Sequence, residues 1–145
     1  MRDFDWRSDD DFTERWSPRS YDLSKLRTLD LFLIYWAGPE MAHLIMSFGF
    51  DGGEQLAWSI EIKRRKSGEY SPVADAFKTD ALVSLATTER DSVRLRSNVR
   101  GEDARLYRLR TSPEQARALL LEYVAEANAL AQHPAFYNSI TTNCT

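Results

Sequence analysis

The sequence predicts an α+β fold in which a mainly antiparallel sheet packs against one long C-terminal amphipathic helix and a short helix. Two patterns support it: apolar residues alternate with small or polar ones over residues 43–63, and apolar residues recur at helical spacing after Ser112. A chain of 145 residues, of which 43% are hydrophobic, can bury one core. We therefore expect a single domain, with an extended arm over residues 1–28 and an α+β body over residues 29–145.

The alternating segment predicts a β-hairpin that turns at Gly52. Large apolar side chains occupy every second position on both sides of the turn: Leu44, Met46, Phe48 and Phe50 before it, and Leu56, Trp58, Ile60 and Ile62 after it. Both sets face one core only if the numbers of paired residues add up to an even value, which a turn at Gly52 sets at about 104. This register puts Glu61 opposite His43 on the other face of the hairpin.

The remaining elements are predicted from shorter signals. Continuous apolar residues indicate a strand over residues 29–36, and further strands are expected over 82–86, 93–96 and 106–110. A short helix is predicted over residues 73–78. The long helix begins with a capping box, Ser112 to Gln115, with Pro113 in its first turn, and its apolar stripe ends near His133 and Pro134.

The composition argues against several kinds of protein. The 19 Lys and Arg residues against 22 Asp and Glu residues give a net charge of −3, so we expect no nucleic-acid partner. The single cysteine excludes an internal disulfide and the paired cysteines of structural zinc sites, and the sequence has no glycine-rich phosphate loop, so we expect neither a metal nor a cofactor. Because no run of about 18 apolar residues occurs, we expect membrane contact only through segments outside this chain.

Cys144, His43 and Glu61 are the residues best suited to chemistry. Cys144 follows a Thr-Thr-Asn sequence, whose residue types cap helices, and the free amides at a helix start stabilise a thiolate. His43 supplies the base that a thiol nucleophile needs, and Glu61 would fix the tautomer of the imidazole. Two alternatives stay open: an inert thiol near a chain end, and a histidine and glutamate that only share an exposed sheet face.

Five segments of the chain, taken in order, carry a resemblance to a known family. They are FDWRSDDDFT at 4–13, HLIMSFGFDG at 43–52, WSIE at 58–61, TERD at 88–91 and FYNSITTNCT at 136–145. Together they resemble the Lnb N-terminal periplasmic domain family of bacteria. The likeness extends over essentially the whole chain.

The resemblance implies a permuted papain-like fold of the NlpC type, in which the histidine strand precedes the cysteine that opens a helix. It also implies a cell-envelope protein that faces the periplasm and is anchored to the inner membrane by segments outside this chain. We therefore expect the chain to be a fragment of a longer, membrane-associated protein. Family members continue past the asparagine-cysteine motif, whereas this chain ends at Thr145.

The function that we expect is cysteine-dependent hydrolysis or acyl transfer at amide or ester bonds of a cell-envelope substrate. Cys144 attacks the carbonyl carbon, His43 accepts and returns the proton, and Glu61 orients His43. The candidate substrate contacts are three polar residues near the cysteine: Tyr137, Asn138 and Asn143.

A noncatalytic function is the alternative. In that case the chain is an envelope domain that binds a protein or glycan partner through aromatic residues of the arm, Trp6 and Trp16. The sheet would then serve only as a scaffold.

Overall fold

The structure is a computed structural model that describes residues 1–36, 38–39, 41–63 and 81–135. Its strands are β1 (Asp5–Trp6), β2 (Phe12–Thr13), β3 (Leu26–Tyr35), β4 (Ala42–Phe50), β5 (Gln55–Lys63), β6 (Ala81–Thr87) and β7 (Asp103–Arg108). Its helices are α1 (Glu89–Arg94) and α2 (Pro113–Gln132), with a 3-10 turn at Leu23–Lys25 and a π-helical turn at Leu95–Val99. The short helix predicted over residues 73–78 lies outside the described residues.

Five strands form one antiparallel sheet with the order β6-β5-β4-β3-β7, and β1 pairs with β2 separately. The predicted α+β class is confirmed, whereas the permuted papain-like arrangement stays a prediction. The strand predicted over residues 106–110 is shifted and is observed as β7. Within the described segments, no helix is both long enough and apolar enough to cross a bilayer.

The β4–β5 hairpin has the predicted register. Met46 pairs with Trp58 and Gly49 pairs with Gln55 across the turn. The ladder between the two strands ends at Met46 and Trp58, although β4 continues to Ala42 and β5 to Lys63. Beyond that point β4 stays paired with β3, and β5 stays paired with β6. In the described sheet, β4 and β5 are therefore not paired with each other at the end that carries His43 and Glu61. We call this gap in the ladder the division between β4 and β5.

One face of the sheet packs against α2. Its buried apolar side chains include Leu29, Met46, Phe48, Phe50, Leu56 and Trp58 of the strands and Ala116 and Leu120 of α2. At the start of α2 the Gln115 amide donates to Ser112 Oγ at 3.3 Å, and the Ser112 amide donates to the Gln115 side chain at 2.9 Å. The predicted capping box is thus confirmed, and it fixes where the helix begins.

The opposite face of the sheet is covered by α1, and its interior is partly polar. Val93 packs against a small apolar cluster: Ile34, Ile45 and Ala57. Beside it, the buried Ser47 hydroxyl donates to Glu89 Oε1 at 2.6 Å, and the Thr87 hydroxyl donates to Ser92 Oγ at 2.8 Å. Because these polar groups satisfy one another, the face can be buried without being apolar.

The strand predicted over residues 93–96 is wrong, because these residues belong to α1 and the π-helical turn. The alternation of Val93 and Leu95 with two arginines imitates a strand. Thr88 starts a helix instead, since its hydroxyl oxygen accepts the Asp91 amide at 3.2 Å. In the helix, Val93 contacts the sheet and is partly buried, while Leu95 contacts the N-terminal residues and is buried.

The N-terminal arm is attached to α1 by the carboxylate of Asp91, whose side chain is 0% exposed. It accepts hydrogen bonds from Arg2 Nε at 2.8 Å, Arg2 Nη2 at 3.0 Å, the Phe4 amide at 3.0 Å and the Trp6 indole N–H at 2.7 Å. Trp6 is only 8% exposed, so it is a core residue and not the surface contact that the binding alternative requires. Trp16, at 60% exposure, is the accessible one of that pair.

Replacing Asp91 by asparagine is expected to lower the free energy of unfolding by about 3–5 kcal/mol, because the partly buried guanidinium of Arg2 loses its nearest counter-charge. The amide of the new residue also places a donor where four donors already converge. Urea denaturation followed by circular dichroism measures this change.

Asp11→Asn is the matched control. Asp11 accepts a similar bidentate pair of hydrogen bonds from Arg7, at 2.8 and 2.5 Å, but both residues are exposed. Water replaces such a bond at little cost, so the control is expected to keep the wild-type midpoint. Equal midpoints for Asp91→Asn and Asp11→Asn would contradict the role given to Asp91.

Candidate active site

His43 lies on β4, on the partly polar face of the sheet. It pairs with Ile34 of β3, so its side chain shares a face with Ile45 and Ser47 and points away from α2. The residue as a whole is partly exposed, but its Nε2 atom is buried and has no hydrogen-bond partner among the described residues. A buried nitrogen without a partner costs about 1–3 kcal/mol, and such atoms are uncommon in native proteins.

Two arginines set the electrostatics around His43: Arg96 in the neighbouring π-helical turn and Arg100, the residue that follows this turn. Burial of the ring, together with the positive charges of Arg96 and Arg100, lowers the pKa of His43 from 6.5 to about 3. Arg96 is itself paired with Glu102 at 3.2 Å, and Arg100 with Asp9 at 2.5 Å. At neutral pH the described surroundings therefore hold an uncharged imidazole.

Glu61 lies on β5, on the same face of the sheet. Its side chain is 28% exposed and accepts a hydrogen bond from Ser59 Oγ at 3.1 Å. Arg2 Nη1 lies 4.0 Å from the other oxygen of Glu61. Extension of the observed register would put Glu61 opposite His43, but the two strands are no longer paired with each other there. Arg2, a residue of the N-terminal arm, thus lies beside the Glu61 carboxylate.

The chain returns to this end of the sheet after α2. The Leu82 amide donates to the Ala135 carbonyl at 2.9 Å, and the next residue, Val83, pairs with Glu61. Ala135 is the last described residue before Cys144, which follows nine positions later. Nine extended residues span up to about 30 Å, so residue 144 is within reach of this end of the sheet.

Four of the six predicted site residues lie outside the described part of the chain: Tyr137, Asn138, Asn143 and Cys144. Their roles and their distances from His43 stay predictions. The other two, His43 and Glu61, lie on one face of the sheet in the described structure. Within the described ranges, no three His, Cys, Asp or Glu side chains are arranged to hold a metal ion.

Four residues near His43 and Glu61 were not among the predicted site residues: Arg2, Ser59, Arg96 and Arg100. A signal existed for Ser59, because a serine that alternates with Trp58 and Ile60 in a strand points to the same face as Glu61. Arg96 was assigned to a strand, Arg100 was not placed in any predicted strand or helix, and Arg2 was left in the arm. The proximity of Arg96 and Arg100 to His43, and of Arg2 to Glu61, depends on packing between residues far apart in sequence, which local sequence patterns do not predict.

Comparison with known proteins identifies one family. Residues 12–145 match the model of a bacterial family described as the Lnb N-terminal periplasmic domain. This confirms the resemblance found in the sequence, and it identifies the chain as a periplasmic domain. Among curated proteins and solved structures, nothing matches the chain.

The low pKa of His43 predicts an acid-sensitive contribution to stability. The unfolded chain binds a proton at His43 below about pH 6.5, and the folded chain does so only near pH 3, so this part of the stability is lost as the pH falls between those values. The loss is at most about 1.4 kcal/mol per pH unit. We expect the free energy of unfolding to fall less steeply between pH 6 and 4 in His43→Gln than in the wild type, as measured by urea denaturation.

The chain has one other histidine, His133, at the exposed end of α2, which offers a matched control. His133→Gln is expected to keep the wild-type slope of stability against pH. Parallel profiles for the wild type and His43→Gln would show that the imidazole of His43 is not held uncharged by the fold.

Proposed function

The chain belongs to the Lnb N-terminal periplasmic domain family, and we propose that it is a cysteine-dependent hydrolase or acyltransferase that acts on amide or ester bonds of the cell envelope. In this proposal Cys144 is the nucleophile, His43 is the general base and acid, and Glu61 orients His43. The full-length protein would hold the domain in the periplasm, anchored to the inner membrane through segments outside this chain.

The observation that carries the proposal is the buried Nε2 atom of His43. An imidazole nitrogen that is buried and unbonded within the described residues can accept a hydrogen bond from a donor that comes to it, and it becomes a stronger base once a negative charge lies beside the ring. A thiol is such a group, and the chain has one cysteine. The position of Ala135 beside β6 supports this pairing, because the segment that carries Cys144 starts at the same end of the sheet.

The contacts of Glu61 support its role as the orienting residue. Ser59 and Arg2 both approach the carboxylate from within the fold, which limits the directions that it can take. A carboxylate that faces an imidazole fixes the tautomer and stabilises the protonated ring when it forms. Glu61 would act on His43 across the division between β4 and β5, where no ladder hydrogen bonds join the two strands in the described structure.

Arg96 and Arg100 support the same chemistry in a different way. Their charges disfavour a protonated His43 in the resting site, but they favour a negative charge placed next to it. A Cys144 thiolate beside the ring would instead favour the protonated imidazole of His43, since an opposite charge raises the pKa of an imidazole. The thiol and the imidazole would then titrate as a coupled pair.

The proposed reaction has two balanced steps. In the first, the sulfur of Cys144 attacks the carbonyl carbon while its proton passes to His43 Nε2. The carbon–nitrogen or carbon–oxygen bond then breaks, and His43 returns the proton to the departing amine or alcohol, which leaves a thioester. In the second, water or an acceptor amine attacks the thioester with the same proton route and frees the thiol. Tyr137, Asn138 and Asn143 are the proposed contacts to the substrate and to the negative oxygen.

Alkylation of Cys144 by iodoacetamide across a range of pH tests the proposal in the native full-length protein. We expect the alkylation rate to titrate below the ordinary thiol pKa of about 8.5. His43→Ala should lower the rate at pH 7 about tenfold, because the thiol loses its proton acceptor and less thiolate forms.

His133→Ala is the control, since it removes the histidine that lies at the end of α2, and it is expected to keep the wild-type rate. Circular dichroism of each variant verifies the fold. A thiol that titrates near 8.5 in the wild type and is unaffected by His43→Ala would contradict the catalytic proposal and favour the noncatalytic alternative.

A further inference from the structure

A cavity of about 400 Å³ lies where β3 ends and β7 begins. It is lined by two aromatic residues, a turn and a pair of opposite charges: Tyr35, Trp36, Gly38, Pro39, Asp103 and Arg105. Its volume is within the range of about 300–1,000 Å³ that small-molecule sites occupy. We call this feature the Trp36 cavity.

The charged side chains of the Trp36 cavity contact each other. Arg105 donates to Asp103 Oδ2 through Nη2 at 2.8 Å and through Nε at 3.2 Å. The same guanidinium lies over the ring of Tyr35, 5.1 Å from its centroid. The Asp103 contact is the main cause of a raised pKa for Arg105. Both side chains are more than half exposed, so the pair adds little stability, but its contacts place a carboxylate and a guanidinium side by side at the cavity.

We propose that the Trp36 cavity binds an uncharged oligosaccharide. Trp36 is 50% exposed, so its ring offers a flat apolar surface for the C–H groups of a sugar ring. The second oxygen of Asp103 and the remaining N–H groups of Arg105 are an acceptor and donors for sugar hydroxyls. Few other ligands combine a flat apolar face with a rim of hydroxyl groups.

The charge of the cavity indicates why the ligand is neutral. Among the described residues, the charged ones that line it are Asp103 and Arg105, and their charges cancel. A charge-balanced pair exerts little net attraction on an anion or a cation, whereas both partners still form strong hydrogen bonds to hydroxyl groups. An anionic ligand would instead require a cation without a counter-charge.

This inference is independent of the proposed catalysis. Tyr35 pairs with Ala42 and Asp103, so these side chains point to the face of the sheet opposite to that of His43. The binding test therefore reports on residues that play no part in the proposed reaction. A negative result in the Cys144 alkylation experiment would not affect the sugar-binding proposal. A negative result in the binding test would likewise not affect the catalytic proposal.

Titration of the protein with chitotetraose, a neutral tetrasaccharide of N-acetylglucosamine, tests the proposal. Saturable binding is expected, with NMR shifts of the indole N–H of Trp36. Trp36→Ala should raise the dissociation constant at least about tenfold, which corresponds to about 1.4 kcal/mol. Trp16→Ala removes an equally accessible tryptophan of the arm and is the matched control, with an unchanged constant expected.

Asp103→Asn supplies a second variant with nearly the same shape. It frees the charge of Arg105, so binding of chitotetraose should weaken about threefold or more while a tetrasaccharide of galacturonic acid should bind more tightly than to the wild type. The amide fingerprint of each variant checks that the fold is intact. No saturable binding by the wild type, or equal binding by the wild type and Trp36→Ala, would overturn the proposal.

Discussion

The hydrogen bonds to the carboxylate of Asp91 organise the partly polar half of the structure. Four donors from the N-terminal arm converge on this one buried group, and an unpaired buried charge there would be costly. The same contacts fix α1 against the sheet, which places Val93 on the apolar cluster. They also position Arg2, whose remaining nitrogen approaches Glu61. A group with no exposed surface thus determines where the acidic member of the candidate site lies.

The two faces of the sheet have different physical characters. The face against α2 is apolar, and it supplies the largest continuous core of the described structure. The face under α1 contains hydroxyl and carboxyl groups that bond to one another, and it carries His43 and Glu61. Apolar packing on one side provides stability, so the other side can hold polar groups in fixed positions without being the main source of that stability.

Local patterns predicted the α2 face well and the α1 face poorly. The register of the β4–β5 hairpin follows from alternation and a glycine turn, and the start of α2 follows from a capping box, because both depend on neighbours in sequence. Residues 93–96 alternate like a strand, but the Thr88 cap and contacts with the arm make them helical. His43 and Glu61 were found from the register alone. Arg96 and Arg100 were missed, since their proximity to His43 depends on that misassigned helix.

The separation in sequence of the arm and α1 has a consequence for the order of assembly. The bonds to Asp91 join residues 85 to 89 positions apart, so they close one of the longest loops in the described chain. Synthesis and export proceed from the amino terminus, which means that Phe4 and Trp6 emerge long before their partner. Until residue 91 follows, the arm lacks the acceptor that its four donors share, so its final position is fixed only once α1 has formed.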